Sequence, residues 1–312
     1  MYKNGVVALI DAENLTKKFD GFTAVDALTL NVGEGEVFGF LGPNGAGKTT
    51  TMRILACLIS KTNGEARIAG YDVSDEADSL KIRKIVGVLP ENVGLYDDLT
   101  AYKNLDFYGK LYECSETQRM ENIEHFLKLL GLWDKREVLV GTFSKGMKQK
   151  LAIARALIHD PEVLFLDEPT ANLDPESSKT VRDFILDLKK EKKTIFLNTH
   201  NLDEAHKICD KIGIFNTKLM AIGSPEELEE SVWSNKTVIQ LEQINDKILK
   251  ALYKLSLKNI TTDNNKLIID VVNPKNENPI IVDAIVGAGG HVQYVTRLSP
   301  TLEDAYFKFV RG

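Results

Sequence analysis

The run Gly42-Pro43-Asn44-Gly45-Ala46-Gly47-Lys48-Thr49-Thr50 is the densest concentration of phosphate chemistry in the chain. It fits the spacing G-x-x-x-x-G-K-[ST] and lies between an apolar strand pattern, 37–41, and a helical pattern that opens at Lys48. Glycines admit backbone angles closed to other residues, so successive N–H groups from Gly45 to Thr49 can turn inward around phosphate oxygens. The helix behind them points its positive end at the same anion. Lys48 suits the β- and γ-phosphates of a nucleotide, and the Thr49 hydroxyl suits Mg²⁺, which takes few protein oxygens and completes its shell with phosphates and waters.

Hydrolysis at such a loop requires a held metal, a polarised γ-phosphate and a placed water. Four consecutive apolar residues, 163–166, read as a strand buried on both faces of a parallel sheet. Ligand chemistry belongs beyond the carboxyl ends of such strands, and Asp167 and Glu168 follow there. Asp167 is the metal candidate, and Glu168 is the general base or water-orienting group, a role worth about 10²–10⁴ in rate. A second buried-type strand, 194–198, ends at Thr199 and His200, which could hold the γ-phosphate or the water. A third, 85–89, delivers the Glu91 carboxylate to a loop. Ser144 caps a helix with the stripe Met147, Leu151, Ala154, Leu157 and Ile158, so a second helix N-terminus is open to an anion. Without the loop at 42–50, an Asp-Glu-Pro strand end reads as a turn, Ser144 as a cap and His200 as an ordinary histidine. The remaining histidines, 125, 159, 206 and 291, belong to no motif.

The elements that position these groups alternate as in an α/β protein. Strands are expected over 8–14, 27–32 and 36–41, a helix over 48–59 and a strand over 65–69. Helices over 100–112 and from the capping box Ser115-x-x-Gln118 to Leu130 stand between the two halves of the sheet as an inserted helical subdomain. Asp174-Pro175 opens another helix, with Val181, Phe184, Ile185 and Leu188 facing inward. A short helix follows Asn201, and a hairpin turns at Thr217. From about Trp233 the pattern becomes strand 237–241, helix 245–257, two strands around Asn264 and Asn265, helix 279–288, strand 291–296 and terminal helix 302–310. That βαββαβ order suggests a small ferredoxin-like or related α+β domain, and no polar constellation gives it a chemistry.

Composition bounds the rest. At 312 residues, 43% of them hydrophobic, the chain has material for one large and one smaller domain. A formal net charge of −6, with no long basic block, argues against a nucleic-acid partner. Cys57, Cys114 and Cys209 are odd in number and far apart, which favours buried reduced thiols over a disulfide framework or metal site. No apolar run approaches a membrane span, so a soluble, cytoplasmic chain is expected.

In order and separation, Gly42 to Thr50, the loop at Glu91, Phe143 to Met147, Val163 to Glu168, the turn Ala171 to Asp174 and His200 closely resemble the ATP-binding cassette (ABC) ATPases. The resemblance spans about 8–228, and the segment from Ser144 into Asp167 is specific to that family among P-loop proteins. It implies an α/β fold with a RecA-like P-loop core, an antiparallel β-subdomain and the helical insertion, about 98–160. The ATP-binding domain would then be 1–230 and a C-terminal α+β accessory domain 231–312. It also implies a head-to-tail dimer with a second copy or a similar ATPase subunit, in which Ser144, Lys145 and Gly146 of one subunit face the P-loop of the other. ATP and Mg²⁺ are the implied cofactors, with Thr49, Asp167 and Glu91 around the metal. By position alone Phe19 reads as core packing, whereas the resemblance makes it the ring that stacks on adenine. Asp174 matches the aspartate at the dimer interface, and His200 the switch histidine. Two departures stand out: Lys145 replaces a glycine, and Glu91 replaces the usual glutamine.

The segment 298–309 and the whole-chain pattern are most similar to ATPase subunits of ABC-2-type exporters of the daunorubicin, bacitracin and sodium group. The implied function is to energise a separate transmembrane permease, in export, from the cytoplasmic face of the membrane. The rival, a soluble cassette acting on ribosomes or nucleic acid, is disfavoured by the single cassette and the acidic balance.

Overall fold

The computed structural model describes residues 8–232, 235–255, 257, 259–298 and 300–311; Trp233, where the sequence changes character, lies outside them. The chain forms two compact units, one of residues Met1–Pro225 with Phe309–Gly312, the other of Glu226–Lys308.

In the larger unit, β1 (Ala8–Phe19) and β2 (Phe22–Gly33) form a long hairpin that places Phe19 opposite Phe22 across Asp20 and Gly21. Both strands outrun the expected 8–14 and 27–32. Register shifts after Ala12 and Leu15 carry the ladder past Asn14, which takes a positive φ, so the alternation restarts out of phase. After β3 (Val37–Leu41) and α1 (Lys48–Leu55) come β4 (Asn63–Ile68), β5 (Tyr71–Asp72) and α2 (Glu76–Ile85). The helix α1 stops short of residue 59 because Cys57 turns left-handed at φ 55°. An antiparallel sheet in the order β2-β1-β4-β5 results. The sequence pattern misses α2: it buries only Ile82 and therefore shows no apolar stripe, although its Asp75 cap accepts from Asp78 N–H at 2.9 Å.

Next follow β6 (Val86–Leu89), α3 (Ala101–Leu111), α4 (Glu116–Leu129), α5 (Lys145–Leu157), β7 (Val163–Asp167) and α6 (Pro175–Lys190). Then come β8 (Thr194–Thr199), α7 (Leu202–Ile208), β9 (Lys211–Asn216) and β10 (Lys218–Gly223), and α8 (Pro225–Glu230) starts at the last residue of this stretch and belongs otherwise to the smaller unit. A second sheet runs β10-β9-β3-β8-β7-β6, parallel except for β10. Every residue of β3, β7 and β8 is buried, which is why these strands read as unbroken apolar runs. Phe38, Phe40, Phe165, Phe196 and Phe215 make a slab of rings with neighbouring centroids 4.4–5.6 Å apart beneath the strand ends. Helices α3 to α5 are inserted between β6 and β7, which pair directly with each other. Buried Asn104 on α3 ties the start of the insertion down, accepting from Tyr96 N–H at 2.9 Å and donating to the Tyr96 carbonyl at 3.0 Å.

The smaller unit contains β11 (Asn235–Leu241), α9 (Asp246–Tyr253), β12 (Ile260–Asp263), β13 (Lys266–Val271), α10 (Pro274–Gly287) and β14 (Val292–Leu298). The helix α11 (Leu302–Arg311) ends the described chain. The four strands pair antiparallel in the order β12-β13-β11-β14, the ferredoxin-like arrangement of a βαββαβ chain, over a core that includes Ile239, Ile248, Leu267, Ile269 and Ile285. The helix expected to begin at Pro279 begins at Pro274 instead. Asn273 caps Lys275 N–H at 3.1 Å, and the Glu277 carboxylate reaches back to Asn273 N–H at 2.7 Å. Pro279 lies inside the helix and forgoes its backbone bond there.

Cys57 and Cys209 are buried free thiols, as expected, but Cys114 is only partly covered. Burial pushes the Cys57 thiol up to about 11. Among the described residues no helix is long and apolar enough to cross a membrane.

Candidate active site

The loop between β3 and α1 wraps the carboxyl edge of the parallel sheet. Gly47 caps α1 at φ 99° and lends no side chain, so the first N–H groups of the helix are left facing outward. A Cβ at Gly47 would stand 2.1 Å from the Ala24 carbonyl, so both the conformation and the space demand glycine. Lys48 is buried, and its ammonium donates to the Gly42 carbonyl at 2.6 Å and the Pro43 carbonyl at 3.1 Å. Burial lowers its pKa, and the nearby Glu168 and Asp167 carboxylates work in the opposite sense.

Register carries the remaining groups to the same edge. Asp167 ends β7 opposite Asn198 of β8, and the Asn198 amide donates to Asp167 Oδ1 at 3.0 Å. The Thr49 hydroxyl donates to Asp167 Oδ2 at 2.9 Å. A hydroxyl and a buried carboxylate in contact at a helix N-terminus are hard oxygen donors of the kind Mg²⁺ takes. Among the described residues no group of three or more His, Cys, Asp or Glu could hold a metal alone, so this pair suits an ion that shares its shell with phosphate and water. Glu168, one residue on, adopts φ 50°, which turns its side chain out of the strand line. Its Oε1 lies 2.8 Å from His200 Nδ1 at the tip of β8.

Residues Asn44 to Thr50, with Glu91, Asp167 and Glu168, line one open cleft of about 470 Å³, within the usual size of a small-molecule site. Two residues not singled out by the sequence, Phe22 and Ala24, line it as well. Phe19 does not join the core: it is 42% exposed and stacks on Phe22, ring centroids 5.5 Å apart, with the Lys17 ammonium 4.9 Å from the centre of its ring. The Asp20-Gly21 pair is a two-residue hairpin signal that pairs Phe19 with Phe22, so the second ring was legible. Asn198 had a weaker signal, a lone amide within a buried apolar strand.

Ser144, Lys145, Gly146 and Asp174 are brought together elsewhere and do not line that cleft. Ser144 caps α5 by accepting from Met147 N–H at 3.2 Å, and Asp174 caps α6 by accepting from Ser177 N–H at 2.9 Å. These bonds from Ser177 hold the exposed Asp174 carboxyl below its ordinary range. Gly146 fits against α6 so closely that a Cβ would meet Ser177 Oγ at 2.5 Å. Gln149 on α5 donates to the Pro169 carbonyl at 3.0 Å, joining this second helix end to the loop that carries Glu168.

A glycine-rich cradle on a parallel strand, with a hydroxyl–carboxylate pair and a glutamate–histidine pair at neighbouring strand ends, defines a P-loop nucleoside-triphosphate hydrolase. Residues 25–171 match the family model described as ABC transporter. The linearmycin resistance ATP-binding protein LnrL of Bacillus subtilis is 32% identical over 91% of this chain and 91% of its own. The daunorubicin/doxorubicin resistance ATP-binding protein DrrA of Streptomyces peucetius is 39% identical over 74% of this chain and 70% of its own. Among solved structures, the dimeric post-hydrolysis state of the cassette MJ0796 bound to ADP and Pi superposes with a TM-score of 0.63, at 26% identity, over 69% of this chain and 98% of that one. The chain belongs to the ABC transporter family and is one of its ATP-binding, ATP-hydrolysing subunits.

Proposed function

We propose that this subunit energises export through a separate transmembrane permease, held at the cytoplasmic face of the membrane by that partner, and that it works as one of two head-to-tail ATPase subunits. The observation that carries the reading is the separation within one chain of two anion-facing helix ends, α1 at the P-loop cleft and α5 at Ser144. Each serves a different nucleotide if Ser144, Lys145 and Gly146 close over the P-loop of a partner copy. Similar solved cassettes are described as dimers, and similar proteins are named for drug resistance and export.

In this reading Gly42 to Thr50 cradle the phosphates, and Phe19 with Phe22 offers a ring to adenine. Thr49 and Asp167 hold Mg²⁺, which would neutralise phosphate charge, and Glu91 reaches the same ion or the γ-phosphate from across the cleft. Glu168 accepts a proton from, or orients, the attacking water, and His200 holds Glu168 and the γ-phosphate in place. The segment 1–230 is the ATP-binding domain, with 231–312 as an accessory domain. Exposed Tyr96, Phe107 and Leu111, on and beside the loop after Glu91, form an apolar surface suited to a permease segment.

Purification from membranes tests the proposal. A multispanning protein that co-purifies and raises ATP hydrolysis is the expected result; co-purification with ribosomes or nucleic acid instead would overturn it.

A further inference from the structure

Glu204, on α7, is 1% exposed and takes no part in the chemistry described above. The buried Thr199 hydroxyl donates to Glu204 Oε2 at 3.0 Å and accepts from Asn201 N–H at 3.0 Å, so its one proton is committed to this carboxyl. The Thr170 side chain stands beside the same carboxyl. Thr199 immediately precedes His200, and Thr170 lies two residues beyond Glu168. Through Thr199, one buried side chain therefore braces the strand end whose next residue, His200, makes the 2.8 Å contact with Glu168, while Glu204 Oε1 accepts no hydrogen bond among the described residues. Asn201 fixes its base, accepting from Glu204 N–H at 3.1 Å.

We infer that Glu204 is a positioning residue for hydrolysis: by holding Thr199 from behind, it sets the place of His200 against Glu168. Without the carboxyl, the Thr199 proton has no acceptor in a buried site, and the strand end that carries His200 is free to settle away from Glu168. The inference rests on the proposed roles of Glu168 and His200. Burial also pushes the Glu204 carboxyl up, and the nearby Glu168 carboxylate acts in the same sense, against the pull of Thr170, Thr199 and Arg182.

The test is steady-state ATP hydrolysis by the full chain. Glu204→Ala should lower kcat by about tenfold to a hundredfold, the scale of a small misplacement of reacting groups, with KM and nucleotide affinity unchanged. Glu204→Gln should recover most of the rate, because its amide oxygen still accepts the Thr199 proton. In a His200→Ala background Glu204→Ala should cause no further loss, since the two act through one contact. Wild-type kcat in Glu204→Ala, or a full additional loss in that background, overturns the inference. If Glu204→Ala does not fold, Thr199→Val removes the donor at nearly constant volume and should give the same loss and the same non-additivity. Turnover in Glu168→Gln would instead sink the reading beneath it, whatever Glu204 does.

Discussion

The Glu168 carboxylate and the His200 ring meet at 2.8 Å, Oε1 to Nδ1, across the ends of two adjacent parallel strands. Register sets Asp167 opposite Asn198, and the contact joins the residue after Asp167 to the residue two places after Asn198. A histidine so held has Nδ1 committed to the carboxylate and keeps Nε2 for another partner.

Glu168→Gln keeps the shape of the side chain and removes its basicity. Phosphate release should fall by about 10²–10⁴, with ATP affinity retained. The variant should then accumulate as an ATP-bound dimer on size-exclusion chromatography. Wild-type turnover in this protein would remove Glu168 from its assigned role.

Lys48→Ala should act on binding. Its ammonium is held by the Gly42 and Pro43 carbonyls, and its side chain lines the cleft. Charge-assisted hydrogen bonds contribute about 1.5–3 kcal/mol, so calorimetric titration should show ATP bound about ten to a hundred times more weakly.

The stacked pair at the β1–β2 turn makes a third prediction. Phe22→Ala should weaken ATP binding as much as Phe19→Ala, each by about 1–3 kcal/mol, the scale of a base stacked on a ring. An effect of Phe19→Ala alone would leave Phe22 as a mere lining residue.

Much of this site was legible in the sequence because its parts sit at strand ends, where a buried apolar run stops at a polar residue. The P-loop, Asp167, Glu168 and His200 all announce themselves in that way. Glu204 does not, since a glutamate in a short helix looks solvated until the fold covers it. Phe19 was pulled both ways: its position suggested packing, and only the hairpin exposes it beside Phe22. Helix α2 carries no apolar stripe to mark it, and Pro279 resembles a first helical residue although Asn273 and Glu277 supply the caps of α10. Local signals mark the starts of α5, α6 and α7 at Ser144, Asp174 and Asn201, whereas long strands that cross a bulge lose their phase.

Gly146→Ala tests the contact between the two helix starts. The added Cβ would lie 2.5 Å from Ser177 Oγ and 3.1 Å from Ser177 Cβ. Overpacking of this kind costs about 1–3 kcal/mol, which thermal unfolding would register as a lowered Tm. Adding Ser177→Ala should restore part of that loss. No recovery would show that the strain lies elsewhere.

His159 provides a pH dependence. It is stacked on Tyr112 at 3.7 Å, its Nε2 lies 3.1 Å from the Val86 carbonyl, and burial lowers its pKa from 6.5 to about 4. Between those values the unfolded chain binds a proton that the folded chain does not, so stability falls as pH drops from 6.5 toward 4. The shift corresponds to at most about 3 kcal/mol. His159→Phe, which keeps a ring beside Tyr112, should flatten that part of the stability curve in urea titrations. An unchanged slope would refute the assignment.

The left-handed backbone of Glu168, φ 50°, sets stability against activity at a single position. A residue with a Cβ gives up about 1–2 kcal/mol in that conformation, and glycine gives up almost none. Glu168→Gly should therefore melt at a higher temperature than the wild type while hydrolysing nothing. A search for thermostable variants that ignores turnover would drift toward silencing the enzyme here.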